Sequence, residues 1–211
     1  KGNTTHPKSF QKLLDEVKGK PEELVVDKMV LRSLKRARYT PENDVHFGLA
    51  AKYYCHFTSP IRRYPDLQIH RIISENLQGT LNSKRIASYN KHLPGVAEHC
   101  SVTERLADDA ERDTDKYKIA QYMRSRIGCE YDGIVSGVNS WGMYVELPNT
   151  VEGLVSTKNM TDDVYIYDED NLRLMADHTH KTYTIGDKVK VVVAGASLGD
   201  KTVDFVLAEK D

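Results

Sequence analysis

A short stretch with two prolines and two adjacent arginines, HFTSPIRRYPDLQIH (residues 56–70), carries residue types suited to binding an anion. Ser59 and the proline after it predict a helix start, because serine caps free amides and proline needs no amide hydrogen there. Arg62 and Arg63 then fall in the first turn, where the helix dipole disfavours a cation unless an anion offsets it. Pro65 removes another donor, so we expect the helix to begin with a bend. Phosphate is the expected ligand of such a helix entrance.

Asp66 offers an alternative partner for these two arginines. It follows Arg63 by three positions and Arg62 by four, which is the spacing of a side-chain pair on a helix. Phosphate binding is the preferred interpretation, and a structural ion pair with Asp66 stays open for either arginine.

Four helices are predicted in the first part of the chain, residues 1–127. Apolar spacing, with proline and glycine at the ends, places them at 8–18, at 21–38, from the Ser-Pro pair to Gly79, and from Pro94 to about Arg126. Residues 39–57 are predicted to form a short strand and a loop. A stripe of small residues on the last helix predicts close packing against a neighbour: Cys100, Thr103, Ala107, Ala110 and Thr114.

Three basic residues, Lys35, Arg36 and Arg38, end the second predicted helix. Cations at this end complement the helix dipole, which explains them without any ligand. Contact with a nucleic acid stays open as the alternative interpretation.

The second part of the chain, residues 128–211, has the pattern of a small β-barrel. Five β-rich runs are separated by turn signals: CEYDGIVSGV, SWGMYVELP, VEGLVS, DKVKVVVAGA and KTVDFVLA. One long insertion separates the third run from the fourth. The predicted fold is therefore α+β, with a mainly helical part joined to a five-stranded barrel at a domain boundary placed at 127/128.

The two parts carry opposite charge. Residues 1–127 hold 23 Lys+Arg and 16 Asp+Glu, whereas residues 128–211 hold 7 and 15, although the net charge of the whole chain is only −1. A basic part suits a polyanionic partner. The alternative is that the two parts simply attract each other.

The cysteines and the apolar runs indicate the environment of the chain. Cys55, Cys100 and Cys129 have no paired spacing, which favours a reducing compartment, the cytoplasm. The most apolar run, VVVAGA, is far too short to span a bilayer, so we expect no membrane partner. The chain begins at Lys1 without a methionine, so we expect a piece of a longer protein.

The arginine-containing stretch also resembles a known family. HFGLA (46–50) followed by HFTSPIRRYPDLQIHR (56–71) is similar to the end of the catalytic RNB domain of the RNase R/RNase II exoribonucleases. LRSLKRARYTPEN (31–43) and AERDTDKY (110–117) resemble neighbouring segments of that domain. The barrel resembles the S1 RNA-binding domain of these enzymes, which is an OB-fold. The resemblance covers nearly the whole chain, and the RNase R branch is the closer one.

This resemblance implies processive 3′-to-5′ hydrolysis of RNA with release of nucleoside 5′-monophosphates. Arg62 matches the arginine that holds the phosphate near the scissile bond, and Glu111 matches an active-site glutamate beside the 3′-terminal nucleotide. An arginine at that place is expected to stabilise charge on the phosphoryl oxygens. Without the resemblance, Glu111 would be read as a solvated carboxylate on a charged helix face.

The catalytic metal of the family is expected to lie outside this chain. Metal-assisted cleavage needs clustered carboxylates to hold Mg²⁺, and the family's aspartates belong to a loop far upstream of the arginine motif. His46 and His56 are expected to be packed and hydrogen-bonded rather than metal ligands. We therefore predict no metal site here, a need for Mg²⁺ in the full-length enzyme, and no RNA cleavage by this chain alone.

The barrel is expected to bind single-stranded RNA by stacking bases on exposed aromatic residues over a basic groove. Trp141 and Tyr144 match the two aromatic residues on the family's RNA-facing strands, and Tyr131 is a third candidate. The alternative is that they fill the core, although a turn before Trp141 and a glycine after it favour exposure. The remaining predicted RNA ligands are Ser59, Arg63, Lys158, Lys190 and Lys201.

Some positions of the barrel depart from the family pattern. Ser156 stands where histidine is frequent, and Ser197 stands where aspartate is frequent. Together with the negative charge of the barrel, they predict weak, salt-sensitive RNA binding by the barrel alone. In the insertion, Tyr165 and Tyr167 are expected to pack as a lid rather than to stack on bases.

Other functions remain as alternatives to the nuclease. The chain could be a non-catalytic module that binds single-stranded RNA, or an interaction scaffold whose oppositely charged parts attract. Because the rest of the catalytic domain is not in this chain, helices 8–18 and 21–38 are expected to expose apolar surface and to favour self-association.

Overall fold

The computed structural model describes residues 7–20, 23–43, 46, 48–49 and 51–208. Their helices are α1 (Pro7–Val17), α2 (Glu23–Ser33), α3 (Tyr64–Leu77) and α4 (Ser83–Arg124). The described residues form two compact units, one within Lys1–Lys18 and Met29–Asp109, the other within Gly19–Lys28 and Ala110–Asp211. The domain boundary at 127/128 stays a prediction.

The first two helices begin close to where the sequence places them. Helix α1 spans Pro7–Val17, and Gly19 follows it with a φ of +76°, a conformation that glycine adopts without strain. Helix α2 ends at Ser33, whose hydroxyl donates to the carbonyl of Val30 at 2.7 Å. The prediction that this helix reaches Arg38 is therefore wrong.

The basic residues Lys35, Arg36 and Arg38 accordingly lie beyond the end of α2. All three are exposed. Because they follow the last turn of the helix instead of lying in it, its dipole acts on them more weakly than the sequence predicts.

The arginine-containing stretch forms a turn before α3 rather than the beginning of that helix. The amides of Arg62 and Arg63 both donate to the carbonyl of Ser59, at 3.2 Å and 3.0 Å. Helix α3 begins only at Tyr64, so Pro65 lies in its first turn, where no amide donor is needed. The predicted helix start at Ser59 is therefore wrong. An extended Arg63, with φ −118° and ψ 114°, separates the turn from the helix just before Pro65.

Helix α4 is longer than the sequence suggests. Its 42 residues correspond to about 63 Å at the ideal rise. It begins at Ser83, where Asn82 Oδ1 accepts a hydrogen bond from the Arg85 amide at 3.0 Å. Pro94, which was predicted to start the helix, lies inside it and leaves one carbonyl without its helical donor.

The small-residue stripe on α4 is packed at one position only. Cys100 is buried, whereas the other four members of the stripe are exposed: Thr103, Ala107, Ala110 and Thr114. Within the part of the chain that the structure describes, the predicted close packing is therefore absent at those four positions.

Among the described residues, eight strands follow the helices. They are β1 (Glu130–Asn139), β2 (Gly142–Glu146), β3 (Glu152–Ser156), β4 (Tyr165–Asp168), β5 (Arg173–Ala176), β6 (Thr182–Thr184), β7 (Lys188–Ser197) and β8 (Thr202–Leu207). Five of them close into a barrel in the order β1-β2-β3-β8-β7, in which only β3 and β8 pair in parallel. The insertion forms its own antiparallel sheet, β4-β5-β6. The predicted α+β fold with a five-stranded OB-type barrel is confirmed.

Apolar side chains fill the barrel from every strand. The fully buried members include Val135, Met143, Val145, Val155, Val191, Val193 and Phe205. Gly153 makes room for the largest of them, because a Cβ there would lie 2.5 Å from the Phe205 ring. Met123, from the last turns of α4, belongs to the same core.

The insertion closes onto this core through aromatic residues. Tyr165 and Tyr183 are both buried, with ring centroids 5.8 Å apart, and Tyr167 packs against the core at its edge. The expectation that Tyr165 and Tyr167 pack rather than stack on bases agrees with this arrangement.

The described residues show no covalent cross-link and no membrane-crossing element. Cys55, Cys100 and Cys129 are all free thiols. Among the helices that the structure describes, none combines the length and the apolar composition needed to cross a bilayer.

Candidate functional site

The arginine turn, residues Ser59–Arg63, presents one unpaired cation to solvent. The turn closes on the Ser59 carbonyl, and the Ser59 amide donates to Asp66 Oδ2 at 2.8 Å. Arg62 is exposed, and no described residue makes a hydrogen bond or an ion pair with its side chain. The neighbouring Ile61 is fully exposed. Arg62 is therefore free to contact an anion.

Asp66 forms an ion pair with Arg63 and not with Arg62. Its Oδ2 accepts hydrogen bonds from Arg63 Nη2 at 2.8 Å and from Arg63 Nε at 3.2 Å. Burial disfavours the charged carboxylate, but the bonds from Arg63 and the Ser59 amide outweigh burial and lower the pKa of Asp66. The same contact raises the pKa of Arg63. The structural ion pair that the sequence left open is present at Arg63.

A second polar cluster fixes the chain just before the arginine turn. The hydroxyl of Tyr39 lies 2.9 Å from His56 Nδ1, and the Tyr39 amide donates to Ser101 Oγ of α4 at 2.9 Å. Burial, followed by a hydrogen bond to Glu104, raises the pKa of Tyr39. His56 is thus packed and hydrogen-bonded, as predicted, and Tyr39 is a site-supporting residue that sequence analysis missed.

His46 and His70 are also in aromatic contacts near this segment. The His46 ring lies 4.6 Å from the Tyr54 ring in an edge-on arrangement, in agreement with the prediction of a packed histidine. His70 of α3 stacks on Phe57 with ring centroids 4.3 Å apart, and its Nε2 is 2.8 Å from the Phe57 carbonyl oxygen. Sequence analysis missed this second anchor, although Phe57 and His70 both stand in the quoted motif.

Glu111 lies on α4 with an exposed side chain. It belongs to the second compact unit, whereas Arg62 belongs to the first. The joint catalytic role of Arg62 and Glu111 stays a prediction.

The barrel presents an exposed tryptophan at the β1–β2 turn. This tryptophan hairpin, residues Asn139–Tyr144, is closed by Asn139 Oδ1, which accepts from the amides of Trp141 at 3.1 Å and Gly142 at 3.0 Å. Trp141 is 56% exposed, and its indole nitrogen lies 3.4 Å from the hydroxyl of Tyr144. The predicted exposure of Trp141 is confirmed, and Tyr144 is half-buried beside it.

Main-chain contacts with β3 hold the tryptophan hairpin in place. The Trp141 carbonyl accepts from the Thr157 amide at 3.0 Å. Gly142 approaches β3 so closely that a Cβ would lie 2.2 Å from the Val155 carbonyl oxygen. Only glycine fits there, which agrees with a glycine directly after the exposed aromatic residue.

The three candidate lysines lie in different settings. Lys158 is exposed and follows β3, next to the Thr157 amide that contacts the tryptophan hairpin. Lys190 instead lies 3.2 Å from a carboxylate oxygen of Glu130, whose hydrogen bond raises the pKa of Lys190. Lys201 is ion-paired with Asp113. Both of these lysines are already neutralised by acids of the protein.

Lys190 and Tyr131 also lie away from the tryptophan hairpin. Lys190 pairs with Asp132 across β1 and β7, while the hairpin turn follows Asn139. The seven residue steps from Asp132 to Asn139 correspond to about 23 Å along β1. Tyr131 is half-buried and packs against the barrel core. The structure therefore places Tyr144 beside Trp141 and Lys158 directly after Thr157, whereas Tyr131 and Lys190 lie elsewhere on the barrel. The RNA-binding roles of these residues stay predictions.

The described residues do not form a site that fits Mg²⁺. Nowhere in them do three His, Cys, Asp or Glu side chains come together as metal ligands. The adjacent Asp162 and Asp163 are used inside the insertion: Asp162 accepts from Tyr165 and Lys181, and Asp163 accepts from the amide and hydroxyl of Thr179. We therefore derive no catalytic step through a metal from the residues of this chain.

Comparison with known proteins gives matches to both parts of the chain. The family model of the RNB domain matches residues 1–79, and that of the S1 RNA binding domain matches residues 124–205. Ribonuclease R 1 of Lactococcus lactis is 42% identical over 211 residues, or 99% of this chain. Ribonuclease R of Aquifex aeolicus is 44% identical over 206 residues, or 97% of this chain. The chain belongs to the ribonuclease R family.

A solved ribonuclease R structure agrees with this assignment. Mycoplasma genitalium RNase R, solved in complex with ribose methylated single-stranded RNA, matches with a TM-score of 0.87 and 27% identity over 98% of this chain. The chain covers 32% of that structure, and 26% and 29% of the Lactococcus and Aquifex ribonucleases R. It thus spans less than a third of the length of the relatives that it matches.

Proposed function

We propose that this chain is part of a 3′-to-5′ exoribonuclease that hydrolyses RNA processively to nucleoside 5′-monophosphates. The observation that carries this proposal is the arginine turn, where Arg62 is exposed and unpaired among the described residues while Arg63 is held by Asp66. A turn of this kind presents a single guanidinium in a fixed place. Membership of the ribonuclease R family supports RNA as the anion that Arg62 contacts.

Arg62 is the residue that we propose to contact the phosphate at the scissile bond. Its guanidinium donates hydrogen bonds to the phosphoryl oxygens and stabilises the charge that develops there in the transition state. Glu111 is proposed to orient a hydroxyl or a water beside the 3′-terminal nucleotide. Mg²⁺, held by residues outside this chain, would supply the activated nucleophile and charge neutralisation.

The tryptophan hairpin is proposed to guide single-stranded RNA. Trp141 offers an exposed ring for stacking, Tyr144 lies beside it, and each stacked base contributes about 1–3 kcal/mol. Lys158 is the proposed phosphate partner at this end of the barrel. Lys190 and Lys201 contribute less, because a phosphate must compete with Glu130 and Asp113 for them.

The chain by itself is proposed to bind RNA without cleaving it. Its proposed partner is single-stranded RNA and its proposed location is the cytoplasm, which the three free cysteines support. Exposed apolar side chains on α1 and α2, Leu13, Met29 and Leu31, support the expected tendency to self-associate.

A degradation assay tests this function directly. Single-stranded RNA labelled at its 5′ end is incubated with Mg²⁺ and either the complete polypeptide or this chain alone. We expect the complete polypeptide to release mononucleotides while the label stays on a shortening RNA, and this chain to release none. Internal cuts by the complete polypeptide contradict the exonuclease, and steady mononucleotide release by this chain contradicts its predicted inactivity.

A non-catalytic RNA-binding module is the second candidate, favoured by the exposed Trp141 and Lys158. The salt dependence of RNA affinity distinguishes this candidate and the nuclease from a charge-paired scaffold, for which we expect little slope. Replacing Lys158 with alanine should reduce the slope for a single strand by about 0.7, the contribution of one phosphate contact. The Lys190→Ala variant is the matched control, since Lys190 is occupied by Glu130.

A further inference from the structure

We propose that Asp66 is a positioning residue for Arg62, and that Arg63 serves to hold Asp66 rather than to bind RNA. The proposal rests on the function proposed above for Arg62. It assigns different roles to two adjacent residues of the same type and adds a carboxylate to the arginine site.

The hydrogen bonds of Asp66 close the arginine turn at both of its ends. Oδ2 accepts from the backbone amide of Ser59, the first residue of the turn, and from the side chain of Arg63, the last. The Ser59 carbonyl in turn accepts from the amides of Arg62 and Arg63. The backbone of Arg62 is therefore enclosed between two residues that are bound to one carboxylate oxygen.

The burial of Asp66 indicates that its role is to fix the geometry of the arginine turn rather than to add stability. Its side chain is 0% exposed, and within the described residues its second oxygen, Oδ1, has no hydrogen-bond partner. A buried acceptor without a partner is unfavourable, and a buried ion pair is often matched in stability by apolar residues of similar volume. Fixing the turn is a benefit that an apolar residue does not supply.

The two arginines differ in what remains available to a ligand. Arg63 is 21% exposed and uses both Nε and Nη2 on Asp66. Arg62 is exposed, and its donors are unused among the described residues. A displacement of the reacting groups by about 1 Å can reduce a rate 100-fold, so a loosened turn is expected to affect turnover.

A double-mutant cycle in the complete polypeptide tests this positioning role. Asp66→Asn keeps the size and one acceptor oxygen but removes the charge that binds Arg63. We expect it to lower kcat about 10-fold to 100-fold in the native background, with KM nearly unchanged. In the Arg62→Ala background, where there is no guanidinium to position, Asp66→Asn is expected to lower kcat no further.

Arg63→Lys provides a second and milder variant. It keeps the positive charge but loses the planar pair of donors that Asp66 binds. We expect the same loss of kcat and the same absence of a further loss in the Arg62→Ala background. Arg85→Ala is the matched control, because it removes the Arg85–Glu75 ion pair of the same unit, which lies away from the arginine turn in sequence, and should leave kcat unchanged.

The outcomes separate this proposal from the function on which it rests. If Asp66→Asn and Arg63→Lys lower kcat by the same factor with and without Arg62, they act independently of Arg62 and the positioning role is overturned. Unchanged kcat in both variants overturns it as well. If Arg62→Ala itself keeps full activity, the proposed function fails instead. Should Asp66→Asn fold poorly by circular dichroism, the Arg63→Lys cycle decides.

Discussion

The arginine turn and the tryptophan hairpin present their exposed side chains by different means. In the arginine turn, a buried carboxylate binds the first and last residues and leaves Arg62 outside. In the tryptophan hairpin, main-chain contacts and the barrel core hold the two strands, and Trp141 projects from their connection. One region depends on a charge and the other on packing.

This difference determines what each region can tolerate. Hydrogen bonds to a charged group are short and directional, so they place one functional group accurately but depend on a few atoms. A hydrophobic core distributes its contribution over many contacts, so no single hydrogen bond decides where the hairpin lies. The first arrangement suits the chemistry at a phosphate, and the second suits stacking on bases of any type.

The largest expected effect is loss of the barrel core. Phe205→Ala removes a fully buried ring that contacts the position of Gly153, and should lower the free energy of unfolding by about 3–5 kcal/mol. Calorimetry of this chain measures the change. Val164→Ala, at a side chain that is 62% exposed, is the control and should change stability by less than about 0.5 kcal/mol. Equal effects of the two variants would contradict the role given to packing.

The next largest effect is expected in the arginine turn. In the complete polypeptide, Arg62→Ala should lower kcat about 100-fold to 1000-fold, because one donor to the developing charge is removed. Single-turnover degradation of labelled RNA measures it. Arg71→Ala, at an exposed arginine of α3, is the control and should change kcat little. Full activity of the Arg62 variant would remove the proposed site.

A smaller effect is expected for base stacking. Trp141→Ala should weaken binding of single-stranded RNA by this chain by about 1–3 kcal/mol, a factor of about 5 to 150. The salt dependence should stay as it was, because no phosphate contact is lost. Calorimetric titration at two salt concentrations measures both quantities, with Ile166→Ala as an exposed control on the insertion sheet. An unchanged affinity would show that the ring does not stack on bases.

The smallest effect is a dependence on pH that we expect in the arginine turn but not in the tryptophan hairpin. Because folding lowers the pKa of Asp66, its contribution is complete above the ordinary value of 3.8 and is lost as the pH falls through the lowered value. The Ser59 amide proton, bound to Asp66, should shift in nuclear magnetic resonance spectra only below about pH 4. The Trp141 amide, bound to the non-titrating Asn139, should not shift with it. A Ser59 signal that titrates above the ordinary value of 3.8, for example near pH 6, would contradict the ion pair.

The sequence predicts the barrel better than the helices for a physical reason. Alternating apolar residues and turn signals define all five barrel strands, since each strand has one face in the core. For α4, Pro94 led to a predicted start that is too late, because the helix begins at Ser83 behind the capping residue Asn82. At the arginine turn, Ser59 has the pattern of a helix cap, but its turn closes without continuing, and the helix starts only at Tyr64.

Features of the candidate site that depend on local sequence are predicted, whereas features that depend on partners far away in the sequence are missed. The exposure of Trp141 follows from its place between a turn and a glycine. The neutralised lysines do not follow from local sequence, because Lys190 pairs with a residue 60 positions away and Lys201 with one 88 positions away. The partner of Asp66 was one of two stated alternatives, and only the closed turn selects Arg63.

The tryptophan hairpin also makes the chain suitable for optical measurement. Trp141 is the only tryptophan in the sequence, and its indole is more than half exposed beside Tyr144. Excitation at the red edge of protein absorption therefore reports on this one position. A nucleobase that stacks on the ring quenches its emission, so the arrival of RNA at the barrel can be followed in real time without attaching a dye.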